Sequence, residues 1–271
     1  MNASGRATAA RPRDRRRLRL AAAPVSRAVS ITTLGRFDVL RDGTPVPLAA
    51  WQSKKSRDVL KMLIARRGRP VHRETLMDLL WPRSSTSESG SRFSVVLSRA
   101  RAVLDPDWSF AQDHYLQSAD DAVMVDLTNV DVDVERFLAF ASSGLAAVRR
   151  GGRSGAESTL RAAYELYGGD FLEEDAYEEW SMPLREEARA SFLAVAKRLG
   201  DLAMDRGDYD EAVGYFVRIL SMDAYAEDAH LGLVMGALHC GRHGEARRYY
   251  RAYAARMAEL EIEPSPYPSA S

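Results

Sequence analysis

The chain reads as mainly α with a small β component, and three observations say so. Short runs of alternating apolar residues, bounded by turn residues, lie between Val29 and Leu48 and again between Tyr115 and Val125. From Val132 onward, apolar residues recur at helical spacing. Within that stretch Gly207-x-x-x-Glu211-Ala212 returns as Gly241-x-x-x-Glu245-Ala246, an offset of 34 positions, and Phe216 maps onto Tyr250. A length of 271 residues suits two domains at roughly 100–200 residues each.

Residues 1–28 are rich in Arg and Ala and broken by Pro12 and Pro24, so a disordered tail is expected there. Val29, Ile31 and Thr33 alternate with Ser30, Thr32 and Leu34, and Gly35 bends the chain. Phe37 and Val39 lead into the turn Asp42-Gly43, and Val46 and Leu48 return from it. Three helices follow. The first spans about Ser53 to Arg67 and is stopped by Gly68; the second spans about Arg73 to Leu80 and is closed by Trp81-Pro82. Ser85-x-x-Glu88 fits a capping box for the third, with Ser89 as the other candidate cap, and Asp105-Pro106 ends it after Leu104. Tyr115-Leu116-Gln117 and Val123-Met124-Val125, with Asp120-Asp121 between them, read as a second hairpin. Sheet, three helices, hairpin is the order of a winged helix-turn-helix domain with an N-terminal antiparallel sheet, placed at 29–128.

Helices are expected near 133–150, 154–167, 177–205, 209–222, 225–239 and 243–259. Thirty-four is the tetratricopeptide period, and stacked antiparallel pairs would bury these faces between neighbours. An all-α tetratricopeptide-like domain is therefore placed at 129–262. Pro264, Pro266 and Pro268 mark 263–271 as a second unstructured tail.

The zero net charge hides an asymmetry. Residues 1–106 carry twenty-two Lys and Arg against eight Asp and Glu, a net +14, and the remainder is at −14. A basic half beside an acidic half points to a polyanion partner for one and a protein partner for the other. No run approaches the ~18 apolar residues that span a bilayer. A lone Cys240 excludes an internal disulfide, so a reducing cytoplasm is expected and no membrane contact. No enzyme chemistry is expected either. There is no G-x-x-x-x-G-K-[ST] run. His239, Cys240 and His243 lack a fourth ligand, so neither a metal nor another cofactor is assigned. The acids Glu173, Glu174, Asp175, Glu178 and Glu179 read as favourable charge at the start of a long helix.

The third helix carries the functional signal. At 100° per residue Phe93, Leu97, Ala100 and Leu104 form one arc, edged by Val96 and Val103, which must face the core. The opposite face holds Ser91, Arg92, Val95, Ser98, Arg99 and Ala102, with Ser94 on the flank, and no acid lies between Ser89 and Leu104. Small side chains let a helix approach base edges, arginine donates two bonds to guanine, and Val95 suits a thymine methyl. Flanking arginines suit phosphates. Lys54 and Lys55 open the first helix, where positive charge opposes the macrodipole by about 0.3–1 kcal/mol unless an anion docks there. Trp51 reads as a packing residue.

Leu34-Gly35-Arg36-Phe37, Trp51-x-x-Lys54-Lys55-x-Arg57, Val71-x-Arg73-Glu74-x-Leu76, Leu80-Trp81-Pro82 and Leu97-Ser98-Arg99-x-Arg101 resemble the DNA-binding domain of the Streptomyces antibiotic regulatory proteins. Val132-Asp133-Val134-Glu135-Arg136-Phe137, Tyr167-x-Gly169-Asp170-Phe171-Leu172, Trp180 and Arg185 resemble the bacterial transcriptional activator domain that follows it in that family. The resemblance implies an activator that binds direct repeats of double-stranded DNA at promoters, pairs as a homodimer there and contacts RNA polymerase holoenzyme. It further implies control of a secondary-metabolite, antibiotic-type gene cluster from the cytoplasmic nucleoid. By position it puts base reading on Ser94, Val95, Ser98 and Arg99, and phosphate contact on Arg92 and Arg101 beside Lys54 and Lys55. The wing tip Ser118-Ala119-Asp120-Asp121 departs from the family, since two aspartates repel DNA; His114 and Gln117 are the other wing candidates. The acidic wing keeps open a protein-interaction adaptor that does not read DNA, and the sign of regulation leaves a repressor open.

Overall fold

The computed structural model describes residues 28–83 and 86–268. The expected N-terminal tail up to residue 27, the cap Ser85 and residues 269–271 lie outside them. Strands β1 (Val29–Thr32), β2 (Asp38–Arg41) and β3 (Thr44–Pro45) make the N-terminal meander. Helix α1 (Lys54–Ala65) is capped by Ser53, whose Oγ accepts from the Lys55 amide at 3.2 Å. Strand β4 (Val71–His72) leads into α2 (Arg73–Leu80), and α3 runs Thr86–Leu104. Ser89 is therefore inside α3 and buried, not its cap. Strands β5 (Leu116–Ala119) and β6 (Ala122–Val125) form the wing, with β4 on the far side of β6. Asp120 and Asp121 both take positive φ, 48° and 60°, the tight-turn geometry that Asp tolerates.

One strand was not anticipated. β7 (Val130–Val132) runs parallel to β1, Val29 opposite Val130 and Ile31 opposite Val132, and completes the sheet in the order β3-β2-β1-β7. Residues assigned to the second domain thus finish the sheet of the first. Helix α4 (Asp133–Arg149) begins where β7 ends. Asp133, at its first position, accepts from the amides of Thr33 (2.8 Å) and Leu34 (3.0 Å) and from the Thr33 hydroxyl (2.6 Å). Burial pushes its carboxyl up while those bonds pull it down.

Helices α4 and α5 (Arg153–Leu166) pack as a pair, and α6 (Met182–Arg206), α7 (Tyr209–Met222), α8 (Glu227–His239) and α9 (His243–Glu259) stack in sequence. The repeat is real in three dimensions. Gly207 and Gly241 end α6 and follow α8 at φ of 80° and 71°, and Ala212 and Ala246 are each fully buried one turn later. One apolar core runs unbroken from Val29 to Leu233 through both halves.

Two expectations are corrected here. The long helix predicted from 177 starts at Met182, after 3-10 turns at Glu173–Asp175 and Glu179–Ser181. The acids are therefore not helix-start charge. Arg185 holds this segment by donating to the carbonyls of Phe171, Leu172, Asp175 and Ala176 and to the Ser181 hydroxyl. That delivers Glu174 and Asp175 to Lys61 of α1, at 2.5 and 2.6 Å, and Glu174 also to Arg57 at 2.8 Å. Residues 263–268 likewise form no helix or strand, yet they are docked on α8 and α9 rather than loose.

Candidate nucleic-acid interface

α3 divides as its periodicity requires. Phe93, Val96, Leu97, Ala100, Val103 and Leu104 are buried against the domain core. Ser91, Arg92, Ser94, Val95 and Ser98 are exposed, and Arg99 is half-buried beside them. Because exposure is that of the whole described chain, the helical half does not cover this face. Val95 is 50% exposed, an aliphatic side chain left largely to solvent. Ser94 Oγ donates to the Gly90 carbonyl at 3.2 Å, so it must turn to meet a base. Among the described residues no carboxylate pairs with Arg92 or Arg99. The structure brings the candidates Arg92, Ser94, Val95, Ser98 and Arg99 together on one surface.

Arg101 is elsewhere. It is only 9% exposed, and its guanidinium donates to the Leu116 carbonyl at 2.6 and 3.2 Å and to Ser118 Oγ at 2.9 Å. The reason is angular: Arg101 lies on the core side of α3, next to β5. Burial lowers its pKa. It ties the wing to α3 and has no free face for a phosphate. Lys55 is also engaged. Its ammonium donates to the Leu80 carbonyl at the end of α2 and sits 5.3 Å from the Trp81 ring. A cation at the start of one helix thereby satisfies the unpaired carbonyl end of another. Lys54 remains exposed. Trp51 is 4% exposed and packs 6.1 Å from Phe37.

The wing offers no free cation. Gln117 donates to Asp126 at 2.8 Å, and His114 stacks on Phe110 at 4.3 Å. At the tip, Asp121 lies 3.7 Å from Arg73 Nε, and the Arg73 amide donates to the Asp121 carbonyl at 3.0 Å. Arg73 also faces the Phe93 ring of α3 at 6.0 Å. Sequence reasoning did not single out Arg73 as a partner of the wing; a basic residue opening α2 in a chain with an acidic hairpin tip was the available signal.

Residues 132–268 match the family described as the bacterial transcriptional activator domain. Over 241 residues the chain is 23% identical to the transcriptional regulatory protein MoaR1 of Mycobacterium tuberculosis, covering 88% of this chain and 76% of that one. It is 28% identical to the regulatory protein AfsR of Streptomyces coelicolor over 84% of this chain and 23% of AfsR. With the transcriptional regulatory protein EmbR of Mycobacterium tuberculosis it shares 27% identity over 90% of this chain and 62% of EmbR. The chain thus spans three-quarters of MoaR1 but less than two thirds of EmbR and about a quarter of AfsR. The solved structure of Mycobacterium tuberculosis EmbR, in complex with a low-affinity phosphopeptide, superposes with a TM-score of 0.74 at 22% identity, covering 89% of this chain and 63% of that one, and so shares its fold. No helix among the described residues is long and apolar enough to cross a membrane. The chain belongs to the bacterial transcriptional activator domain family, as its resemblance to the Streptomyces antibiotic regulatory proteins implied, and its relatives are transcriptional regulators.

Proposed function

We propose that this protein is a sequence-specific, DNA-binding transcription activator. It lays α3 in the major groove of promoter direct repeats, reading bases with Ser94, Val95, Ser98 and Arg99. Arg92 and Lys54 hold phosphates, while Lys55 and Arg101 act indirectly by fixing α1 and the wing. Two copies side by side on the repeats form a homodimer, and their acidic helical halves meet RNA polymerase holoenzyme. It works without a cofactor at the nucleoid, on genes of a secondary-metabolite cluster. The observation that carries this reading is the uncovered face of α3: cationic and low in profile, with no acid from Ser89 to Leu104.

A gel shift on the chain's own upstream region, with and without RNA polymerase, tests it. A shifted band that weakens steeply with salt and supershifts with polymerase is expected. A second reading, an adaptor that does not touch DNA, is favoured by the exposed acids at the wing tip, and absence of a shift at any salt supports it. In vitro transcription fixes the sign: more transcript for an activator, less for a repressor.

A further inference from the structure

The far end of the helical half holds a site that the DNA-reading account does not use. Tyr253 of α9 is fully buried, and its hydroxyl donates to Glu227 of α8 at 2.5 Å. Over it lies the stretch Glu263-Pro264-Ser265-Pro266-Tyr267. Proline has no N–H, so between Pro264 and Pro266 the only backbone donor is that of Ser265. That amide donates to the Tyr253 hydroxyl at 2.8 Å. The Tyr250 hydroxyl donates to the Ser265 carbonyl at 2.9 Å, and the Ser265 hydroxyl to Glu227 at 2.9 Å. Tyr267 meets the Tyr250 ring edge-on at 5.1 Å. The two hydroxyls hold the Glu227 carboxyl below the usual carboxylate range.

We infer that Glu227, Tyr250 and Tyr253 form a peptide-binding ledge for an extended, proline-flanked segment, filled in cis by residues 262–268 and in trans by the same segment of a second copy. The chemistry is that of proline-rich recognition: prolines fix the backbone in advance, tyrosines read it, and one aromatic side chain anchors it. The segment contributes little apolar burial, since Ile262 and Tyr267 remain exposed. Its hold is a few polar bonds, which an identical segment from another copy makes equally well. Chain connection alone favours the cis ligand. The turn that leads into it puts Glu261 at φ 58°, a conformation disfavoured for a non-glycine residue, which lowers the cost of letting go.

The test titrates a fluorescein-labelled peptide of residues 261–268 into the full chain. Ser265→Pro removes the amide and hydroxyl of the resident segment and leaves the ledge intact, so it should bind the peptide about ten-fold more tightly than the parent chain, whose own segment competes. Adding Tyr250→Phe to that variant should undo the gain, and a scrambled peptide should not bind. Tyr267→Ala provides a second loosened variant if Ser265→Pro unfolds α9. Mixing Ser265→Pro with Tyr250→Phe pairs an open ledge with a free segment and should give a heterodimer in sedimentation. No peptide binding by a folded loosened variant, or equal binding by it and the parent chain, overturns the site. A mixture that sediments as its separate parts overturns the trans occupancy.

Discussion

Arg92 and Arg99 differ from Arg101 by a rotation about one helix axis, and that rotation decides what each can do. The first two lie on the outward face, and among the described residues no acid pairs with them. The third is spent on Leu116 and Ser118. Arg101→Ala should cost about 2 kcal/mol in urea denaturation, because it strands a buried carbonyl that a charged donor satisfied. The salt slope of DNA binding should not change. Lys54→Ala should have the opposite profile: stability within about 0.5 kcal/mol of the parent and a salt slope reduced by about one. A slope lowered by Arg101→Ala would return that residue to the phosphate set. Lys55 is the intermediate case, a surface cation whose ammonium is engaged by the end of α2.

At the scale of elements, the helices were legible and the long-range pairings were not. α1, α2, α3 and α7 fall where periodicity, caps and prolines put them, because those signals act within a few residues. Strand β7 escaped because Val130-Asp131-Val132 is too short to show a period and pairs with a strand about a hundred positions earlier. Glu174 and Asp175 were misread for the same reason, since their cations, Arg57 and Lys61, are in α1. The exposed face of α3 was legible because it is a property of one helix; the engagement of Lys55 and Arg101 was not, because it needs α2 and the wing in place. An electrostatic prediction belongs here. Glu211 of α7 pairs with Arg161 of α5 and with Arg206 of α6, which holds its carboxyl below the ordinary range near 4.3. A lowered folded pKa gives stability that is present above the unfolded value and lost as pH falls through the folded one. The melting temperature should therefore fall on acidification below about pH 5. Glu211→Gln should be less stable at neutral pH and show a shallower acid slope; an unchanged slope would remove the pair from the account.

The whole molecule is built as one body. Asp133 bonds Thr33 and Leu34 just after β1, β7 joins the first sheet, and Lys61, 2% exposed, is matched by two carboxylates from the helical half. Lys61→Ala strands Asp175 at the junction, while Glu174 keeps Arg57. Partial exposure of Glu174 puts the cost near the lower end for a broken buried pair, about 3 kcal/mol. Circular dichroism and tryptophan fluorescence should still report a single coincident urea transition in the parent chain, because one core spans both halves. On the proposed reading, such a body presents α3 at a fixed angle to its acidic half, so that base selection and polymerase contact would be set by one docking event. The most direct measurement is the affinity of Arg99→Ala for its promoter duplex and for a scrambled duplex at equal salt. A loss of about 1–3 kcal/mol on the promoter with little change on the scrambled sequence is the expected result. Equal losses on both would mean that this face does not select sequence.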